Sequence, residues 1–510
     1  MALTHQREDE LAMSGILLDR PAPGATTCIV IGDVRETGPL NLARFRSILW
    51  WLDPATLVPS VSPIPSDRVQ FARVGTDDIP TTLERFVRLN PRSLPSLLIS
   101  NSVGSVNGQA YERLITATHR LLEDTHRIRV TRQQDGFAWQ KHVLQNAPAY
   151  ARHRLPDSWA GALSGLPAFI CGAGPSLDVS MGKLAAASDR AVIFSADSAL
   201  RALARHGVQA DFAVSTDVAK VPDKCLPSDF SPIRVVLASI SPPAWLGAVP
   251  EERRYFLSGH QLTDDWFAQQ GVARTTIAVA ESCGSTAIEL AHHLGCDPIH
   301  LFGLDLAVDP ANQARRHHQD ANAALYVDSN YDPTAQLPRV PGNYSDTVPC
   351  FALDDWQELD ARLASRTAPR VFNVTDRGAR LRGTTLIHPD QFTLDAPIGV
   401  KHARLAGLSS ESSSNDPAIA RALNRLSAVG EECHRALPEL KRALERKGPA
   451  ALAEAFRPLL VDPSSGRALG AFALKLMPHL VPPIEGDRAF WETLLSEFEE
   501  LATLARTARP

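Results

Sequence analysis

An apolar run, Ala168-Phe169-Ile170-Cys171, is followed at once by Gly172-Ala173-Gly174-Pro175-Ser176. A strand, two glycines, a proline and then a helical segment make the order that a phosphate-binding turn uses. Glycines let backbone N–H groups approach a ligand, proline suits the first helical turn, and a helix N-terminus offers partial positive charge to an anion. The same order also builds an ordinary strand-to-helix turn. A dinucleotide fingerprint would place a third glycine where Leu177 stands, so the close helix-to-strand approach of that motif is absent. Asp197 follows about 20 residues after the loop, a spacing at which a carboxylate can accept from a ribose hydroxyl. A ribonucleotide is the ligand these residues suggest.

Two further turns carry polar residues: Ser215-Thr216-Asp217, and Glu281-Ser282-Cys283-Gly284-Ser285-Thr286 at the start of a helical stretch. Convergence of Gly172, Gly174, Ser176, Asp197, Asp217, Ser282 and Gly284 on one crevice would form a nucleotide pocket. Taken singly, Ser282, Ser285 and Asp217 read equally well as helix caps. His292 and His293 are adjacent on a helix and face different ways, which makes them poor joint metal ligands. His317 and His318 follow Gly303-Leu304-Asp305 in a polar loop with Arg315, Arg316 and Asp320. They are either solvated loop residues or a general base that titrates near neutral pH, with the arginines available to neutralise a phosphate or carboxylate. No Ser-His-Asp elbow, HExxH or P-loop is present.

These residues need elements to hold them. From Ala168 to about residue 398 a short apolar run, a polar turn and a helical segment alternate, the pattern of a doubly wound parallel sheet. The spacing predicts strands at Ala168–Cys171, Ala191–Phe194, Phe212–Val214, Val235–Ala238 and Ile299–Phe302, with a ligand at their C-terminal ends. Before them, Cys28–Ile31 and Leu97–Ile99 read as buried strands, and Tyr111, Leu114, Ile115, Leu121 and Leu122 recur at helical spacing. A second helix is expected over Phe137–Tyr150, with a boundary in the Pro- and Gly-containing stretch Leu155–Gly165. After the serine-rich linker Leu408–Asn415, apolar stripes from Ile419 to Leu444 and from Phe490 to Leu501 predict a helical ending. The expected division is therefore an α/β N-terminal domain over 1–160, a central α/β domain over 161–405, doubly wound and Rossmann-like, and a C-terminal helical domain over 406–510.

The 510-residue length accommodates roughly three domains, and 44% hydrophobic with 21% charged residues supplies several cores. A net charge of −5 gives no field to gather nucleic acid or an acidic membrane. Seven scattered cysteines without a CxxC pair argue against a disulfide framework or a cysteine zinc site. The first twenty residues, with Arg7, Glu8, Asp9, Glu10 and Asp19, lack the pattern of a signal peptide. No apolar run reaches the roughly 20 residues of a membrane span. A cytoplasmic location is the expectation.

The segments ICGAGPSLD at 170–178, SADSAL at 195–200, DFAVSTD at 211–217, ESCGSTAIELAHHLGCDPIHLFGLDLA at 281–307, VPGNYSDTVPC at 340–350 and FNVTDRGARLRGT at 372–384 resemble the motility-associated factor (Maf) family. Its members are bacterial flagellin glycosyltransferases needed for motility, and their central domain is also described as MptE-like, after a pterin pyrophosphokinase. The resemblance implies transfer of a nonulosonic acid, pseudaminic or legionaminic, from its CMP-activated form to serine or threonine of flagellin. It implies no required cofactor, since the CMP-sugar is itself a substrate.

The central domain also resembles bacterial sialyltransferases. By that likeness Gly172, Gly174, Pro175, Ser176, Asp197 and Asp217 would hold the nucleotide, and Ser282, Cys283 and Gly284 the donor carboxylate and phosphate. Asp305 would join this donor-binding set, and His317 or His318, placed by region, would supply the base. Those enzymes usually carry Asn between the glycines, where this chain has Ala173, and their phosphate-binding tyrosines have no motif match at Tyr326 or Tyr331. An inverting displacement would then be assisted by N–H groups near Gly174 and Ser176 and by Arg315 or Arg316. Two rivals follow. One is a pterin pyrophosphokinase with ATP and Mg²⁺ held by Asp197, Asp217 and Asp305, and the other is a non-catalytic flagellin-binding assembly factor.

Overall fold

The computed structural model describes residues 16–509 apart from 21–24, 33–41, 59–63, 89–92, 101–102, 104–107, 231, 309–315, 320–336, 398, 409–415, 482–483 and 485. The polar leader, most of the serine-rich linker, Arg315, Asp320, Tyr326 and Tyr331 lie outside the described residues.

Two compact units divide the chain: residues through Gly136 with Leu440–Arg457 and Phe472–Leu494, and Phe137–Glu439 with Pro458–Ala471 and Leu495–Pro510. In the first unit five strands, β1 (Ile16–Arg20), β2 (Thr27–Ile31), β3 (Ser47–Leu52), β4 (Val69–Arg73) and β5 (Ser96–Ser100), form a sheet of order β1-β5-β2-β3-β4. Only β1 runs antiparallel to its neighbour, β5. Side chains of a strand alternate between faces, and here both faces are covered. Cys28, Val30, Ile48, Trp50 and Leu98 enter one core. Ile29, Ile31, Leu49, Trp51 and Leu97 enter the other, against Leu83 and Phe86 of α1 (Ile79–Val87) and Tyr111 and Leu114 of α2 (Gly108–Arg152). The two separate helices expected around residues 111–122 and 137–150 are one helix of 45 residues. The polar stretch between them holds one glycine and no proline, so nothing breaks it.

The second unit carries β6 (Ala168–Cys171), β7 (Val192–Ala196), β8 (Phe212–Ser215), β9 (Arg234–Ala238), β10 (Arg254–Leu257), β11 (Ile299–Phe302), a hairpin of β12 (Arg339–Pro341) and β13 (Thr347–Pro349), β14 (Val371–Val374) and β15 (Thr385–Ile387). Eight of them form a parallel sheet of order β10-β9-β8-β7-β6-β11-β14-β15. Chain order runs one way from β6 through β10 and the other way from β11, so the switch point falls between β6 and β11. In open α/β sheets the crevice beyond the strand C-termini at such a point is where ligands bind. The helices that matter to it are α3 (Leu177–Ala187), α4 (Cys283–His293) and α5 (Leu353–Ala364).

The stretch 155–165, read above as a boundary, is built into this unit. Leu155, Trp159 and Leu163 are buried in the sheet's core, and the N–H groups of Gly161, Leu163 and Gly165 bond the carbonyls of His293, Leu294 and Gly295 at 2.7–3.1 Å. Those carbonyls are the free C-terminal end of α4, so the loop caps a helix. The C-terminal helices α6 (Pro417–Lys447), α7 (Pro449–Val461) and α8 (Arg488–Thr507) are shared between the two units. Within the second unit, Leu423, Leu426 and Val429 of α6 and Phe498, Leu501 and Ala505 of α8 are fully buried.

Candidate active site

The turns after β6 and β11 meet at the switch point. Gly303 takes a left-handed φ of 64°, and the backbones come so close that a Cβ on Gly172 would lie 2.5 Å from the Gly303 carbonyl oxygen. A Cβ on Gly174 would lie 2.5 Å from Asp305 Oδ2. Three amides of this loop are already donated: Gly172 N to Phe302 O at 2.8 Å, Gly174 N to Gly303 O at 2.7 Å, and Ser176 N to Asp305 Oδ2 at 2.7 Å. These glycines are therefore required by chain-to-chain packing. The expected cradle of Gly174 and Ser176 N–H groups for a phosphate is corrected accordingly, because a bonded N–H has no donor left to give.

Asp305 is the tether. It is buried, accepts from Ser176 N and from Thr375 Oγ1 at 3.3 Å, and its own carbonyl accepts from Ala379 N at 2.8 Å. Burial raises its carboxyl above the usual aspartate range, with the Ser176 hydrogen bonds opposing. The next residue, Leu306, holds a left-handed φ of 52°, which a non-glycine residue adopts at some cost and which clusters at functional sites.

Around this junction lies a cavity of about 320 Å³, in the size range of small-molecule sites. Gly172, Gly174, Asp197, Asp217, Ser282, Cys283, Gly284, Asp305 and His317 all line it. Pro175, Ser176 and His318 do not. Asp197, at the end of β7, is buried; its Oδ2 accepts from Ser215 Oγ at 2.8 Å, and burial raises its carboxyl. Asp217 is exposed and its Oδ1 accepts from Ala219 N at 2.8 Å. Ser282 is the N-cap of α4, accepting from Ser285 N at 3.1 Å. Cys283 Sγ lies 3.4 Å from Thr216 N and 3.7 Å from Asp197 Oδ2. Burial, then the neighbouring Asp197, pushes its thiol well up, so it is no nucleophile. Gly284 leaves room for Leu304, whose Cδ2 a Cβ there would meet at 2.5 Å.

The histidine pair is split. His318 is buried, donates its N–H to Ala173 O at 2.9 Å and sets Nε2 3.4 Å from Ser198 O, while Gln319 N reaches Asp178 at 3.1 Å. This segment straps the loop after β6. His317 faces the cavity with its ring edge-on to Phe351 at 5.9 Å, and the Arg316 guanidinium stands 5.1 Å over the same ring. Burial, reinforced by Lys220, His318 and Arg316, brings the His317 imidazole down to about 3. It is neutral at pH 7, able to donate one hydrogen bond but a weak proton acceptor.

Residues 141–310 match the family model for 6-hydroxymethylpterin diphosphokinase MptE-like. No curated protein matches the sequence. Among solved structures, the Maf glycosyltransferase from Magnetospirillum magneticum AMB-1 superposes with a TM-score of 0.58 at 17% identity, covering 99% of this chain and 82% of that one. The chain carries an MptE-like domain in a Maf-type fold.

The MptE-like segment supplies the turns after β6, β7, β8 and β11 and the start of α4. Arg316, His317, Phe351 and Asp355 reach the same cavity from beyond it. Sequence reading passed over Thr216 and Lys220 as members of the site, although Thr216 lies within Ser215-Thr216-Asp217 and Lys220 follows three residues later. It also gave Glu281 no role, though that residue opens the glycine-containing turn before α4, and it had no signal for Phe351 and Asp355. The three aspartates proposed for Mg²⁺ are each engaged with protein groups. Among the described residues no group of three or more His, Cys, Asp or Glu is placed to hold a metal ion.

Proposed function

We propose that this protein is a Maf-type glycosyltransferase that moves a nonulosonic acid of the pseudaminic or legionaminic type from its CMP donor to serine or threonine of flagellin in the cytoplasm, with inversion. The observation that carries the reading is the switch-point cavity in which Lys220, Arg316 and neutral His317 stand together. Asp197, at the end of β7, is the residue for the ribose. Glycosyl departure leaves charge on the CMP phosphate. Two cations and an imidazole N–H, fixed before the reaction, are what such a leaving group needs, and preorganised donors of this kind carry much of the catalysis in polar sites. The acceptor hydroxyl attacks the anomeric carbon from the opposite side, the C–O bond to phosphate breaks, and CMP leaves with the electron pair.

The MptE-like match favours one second reading, diphosphoryl transfer from ATP with Mg²⁺. The engaged aspartates make it the weaker of the two. Calorimetric titration separates them: saturable CMP binding that weakens at least tenfold in Lys220→Met supports sugar transfer. Binding of ATP with Mg²⁺ and none of CMP refutes it. Binding of flagellin without CMP release from any CMP-sugar would leave an assembly factor.

A further inference from the structure

We propose, resting on the glycosyl-transfer reading above, that Glu281 is the base that takes the proton from the acceptor hydroxyl. Glu281 lines the donor cavity and directly precedes the N-cap of α4, a capping job that Ser282 does instead. Its carboxylate lies 3.1 Å from Arg362 Nη2 and is hydrogen-bonded to the carboxyl of Glu358, both on α5. Arg362 is held in turn by Glu358 and by Glu289 at 3.2 Å, and Arg366 closes on Glu289 at 2.6 Å. His260 also faces Glu358, and Asp355 of α5 lines the same cavity. The result is a carboxyl pair pinned by one guanidinium at the cavity wall, with the Glu281 side chain still 29% exposed.

The cavity has other carboxylates: Asp197 accepts from Ser215, Asp305 from Ser176 and Thr375, and Asp217 from Ala219, and Asp355 also lines it. What recommends Glu281 is its pairing with a second carboxyl, Glu358, and with the Arg362 guanidinium. His317 is too weak a base. For Glu281, partial burial and then the hydrogen bond to Glu358 lift the carboxyl to about 7, where a general base works best at neutral pH. In the step, the acceptor O–H bond breaks and its proton passes to a Glu281 carboxylate oxygen. The acceptor oxygen bonds the anomeric carbon, and the carbon–phosphate oxygen bond breaks to release CMP. Glu358 and Arg362 act through Glu281 and are positioning residues.

The test uses the full chain with purified flagellin and, in parallel, CMP-pseudaminic and CMP-legionaminic acid. Glu281→Gln should lower kcat by 10²–10⁴-fold, the span of general-base contributions, with CMP affinity by calorimetry held within threefold. In the wild type, kcat/KM should lose activity below about pH 7. In Glu358→Gln that acid limb should move to lower pH, because an amide donor in place of the second carboxyl favours the ionised Glu281, and a merely structural role would not shift it. Transfer by Glu281→Gln at more than a tenth of the wild-type kcat, or an acid limb unmoved in Glu358→Gln, overturns the assignment while the transferase reading stands. If the wild type moves neither sugar and releases no CMP, the transferase reading falls and this assignment falls with it.

Discussion

Replacing Gly174 by alanine tests whether the loop after β6 is a packing device or a phosphate cradle. The new Cβ would stand 2.5 Å from Asp305 Oδ2 and 2.7 Å from Gly303 O, and neither neighbour can yield. Gly303 O is main chain, and Asp305 is held by Ser176 N and Thr375. Overpacking of this kind costs about 1–3 kcal/mol. Pushing Asp305 away also forfeits its bond to Ser176 N, a hydrogen bond to a carboxyl worth about 1.5–3 kcal/mol. The sum is a destabilisation of about 2.5–6 kcal/mol. Gly182→Ala in α3 is the matched control: nothing lies within 4 Å of its Cβ, and alanine in a helix interior gains about 0.8–1 kcal/mol over glycine. Urea unfolding followed by circular dichroism, with slopes compared to exclude denatured-state effects, should show a lowered midpoint for Gly174→Ala and a raised one for Gly182→Ala. A Gly174→Ala protein as stable as wild type that had lost CMP binding would refute the packing argument and restore the cradle.

Three further outcomes are expected. Burial holds the Asp264 carboxyl at about 6; since a raised carboxyl stabilises the fold only while protonated, that contribution is complete below about pH 4 and lost as pH rises through 6. It amounts to about 3 kcal/mol, so the stability of Asp264→Asn relative to wild type should grow by that much from pH 4 to pH 7 in urea titrations, and an unchanged difference would contradict the burial argument. Gly430 of α6 packs against the backbone of α8, where a Cβ would overlap Arg506 N; Gly430→Val should lower the thermal midpoint well beyond Gly448→Val, whose site is open but carries a left-handed φ, and equal losses would show that the helices do not need this contact. Cys283 is half-buried at the cavity wall and keeps its proton, so the native protein should show no fast thiol reaction with a disulfide reagent at pH 8, whereas the unfolded chain should titrate all seven thiols; rapid native labelling of Cys283 would contradict its raised thiol.

The sheet of the second unit was legible because its strands are short and β-branched and end at turn residues. β6, β8, β9 and β11 fall within a residue of the expected bounds, and β7 extends two residues further, to Ala196. The strands that escaped have reasons. β10 begins with Arg254, whose side chain is buried in the fold although its type reads as surface, and β14 and β15 are three or four residues long between polar loops. In the first unit, Ser47–Leu52 carries two tryptophans, both fully buried, which the alternation rule misreads as helix or core because neither face of the strand is polar. At the site, polar residues at strand ends were found by their place in each turn. Phe351, Asp355 and the Glu281–Glu358–Arg362 group were not, since pairing across 77 residues from Glu281 to Glu358 leaves no local pattern.

The clearest local motif and the functional cavity thus divide their labour in a way that only the topology explains. Where β6 and β11 are neighbours and the helices after them depart to different sides, two strand-to-loop turns must pass each other without side chains between them. That alone demands Gly172, Gly174 and Gly303, and it engages the N–H groups of Gly172, Gly174 and Ser176 with protein acceptors. On the reading proposed above, side chains on the rim take the anion. Lys220 follows the turn after β8, Arg316 and His317 lie on the strap held by Ala173 and Ser198, and Phe351 orders both of the latter by ring contacts. In this molecule the glycine loop builds the crevice, and Lys220, Arg316 and His317 stand around it.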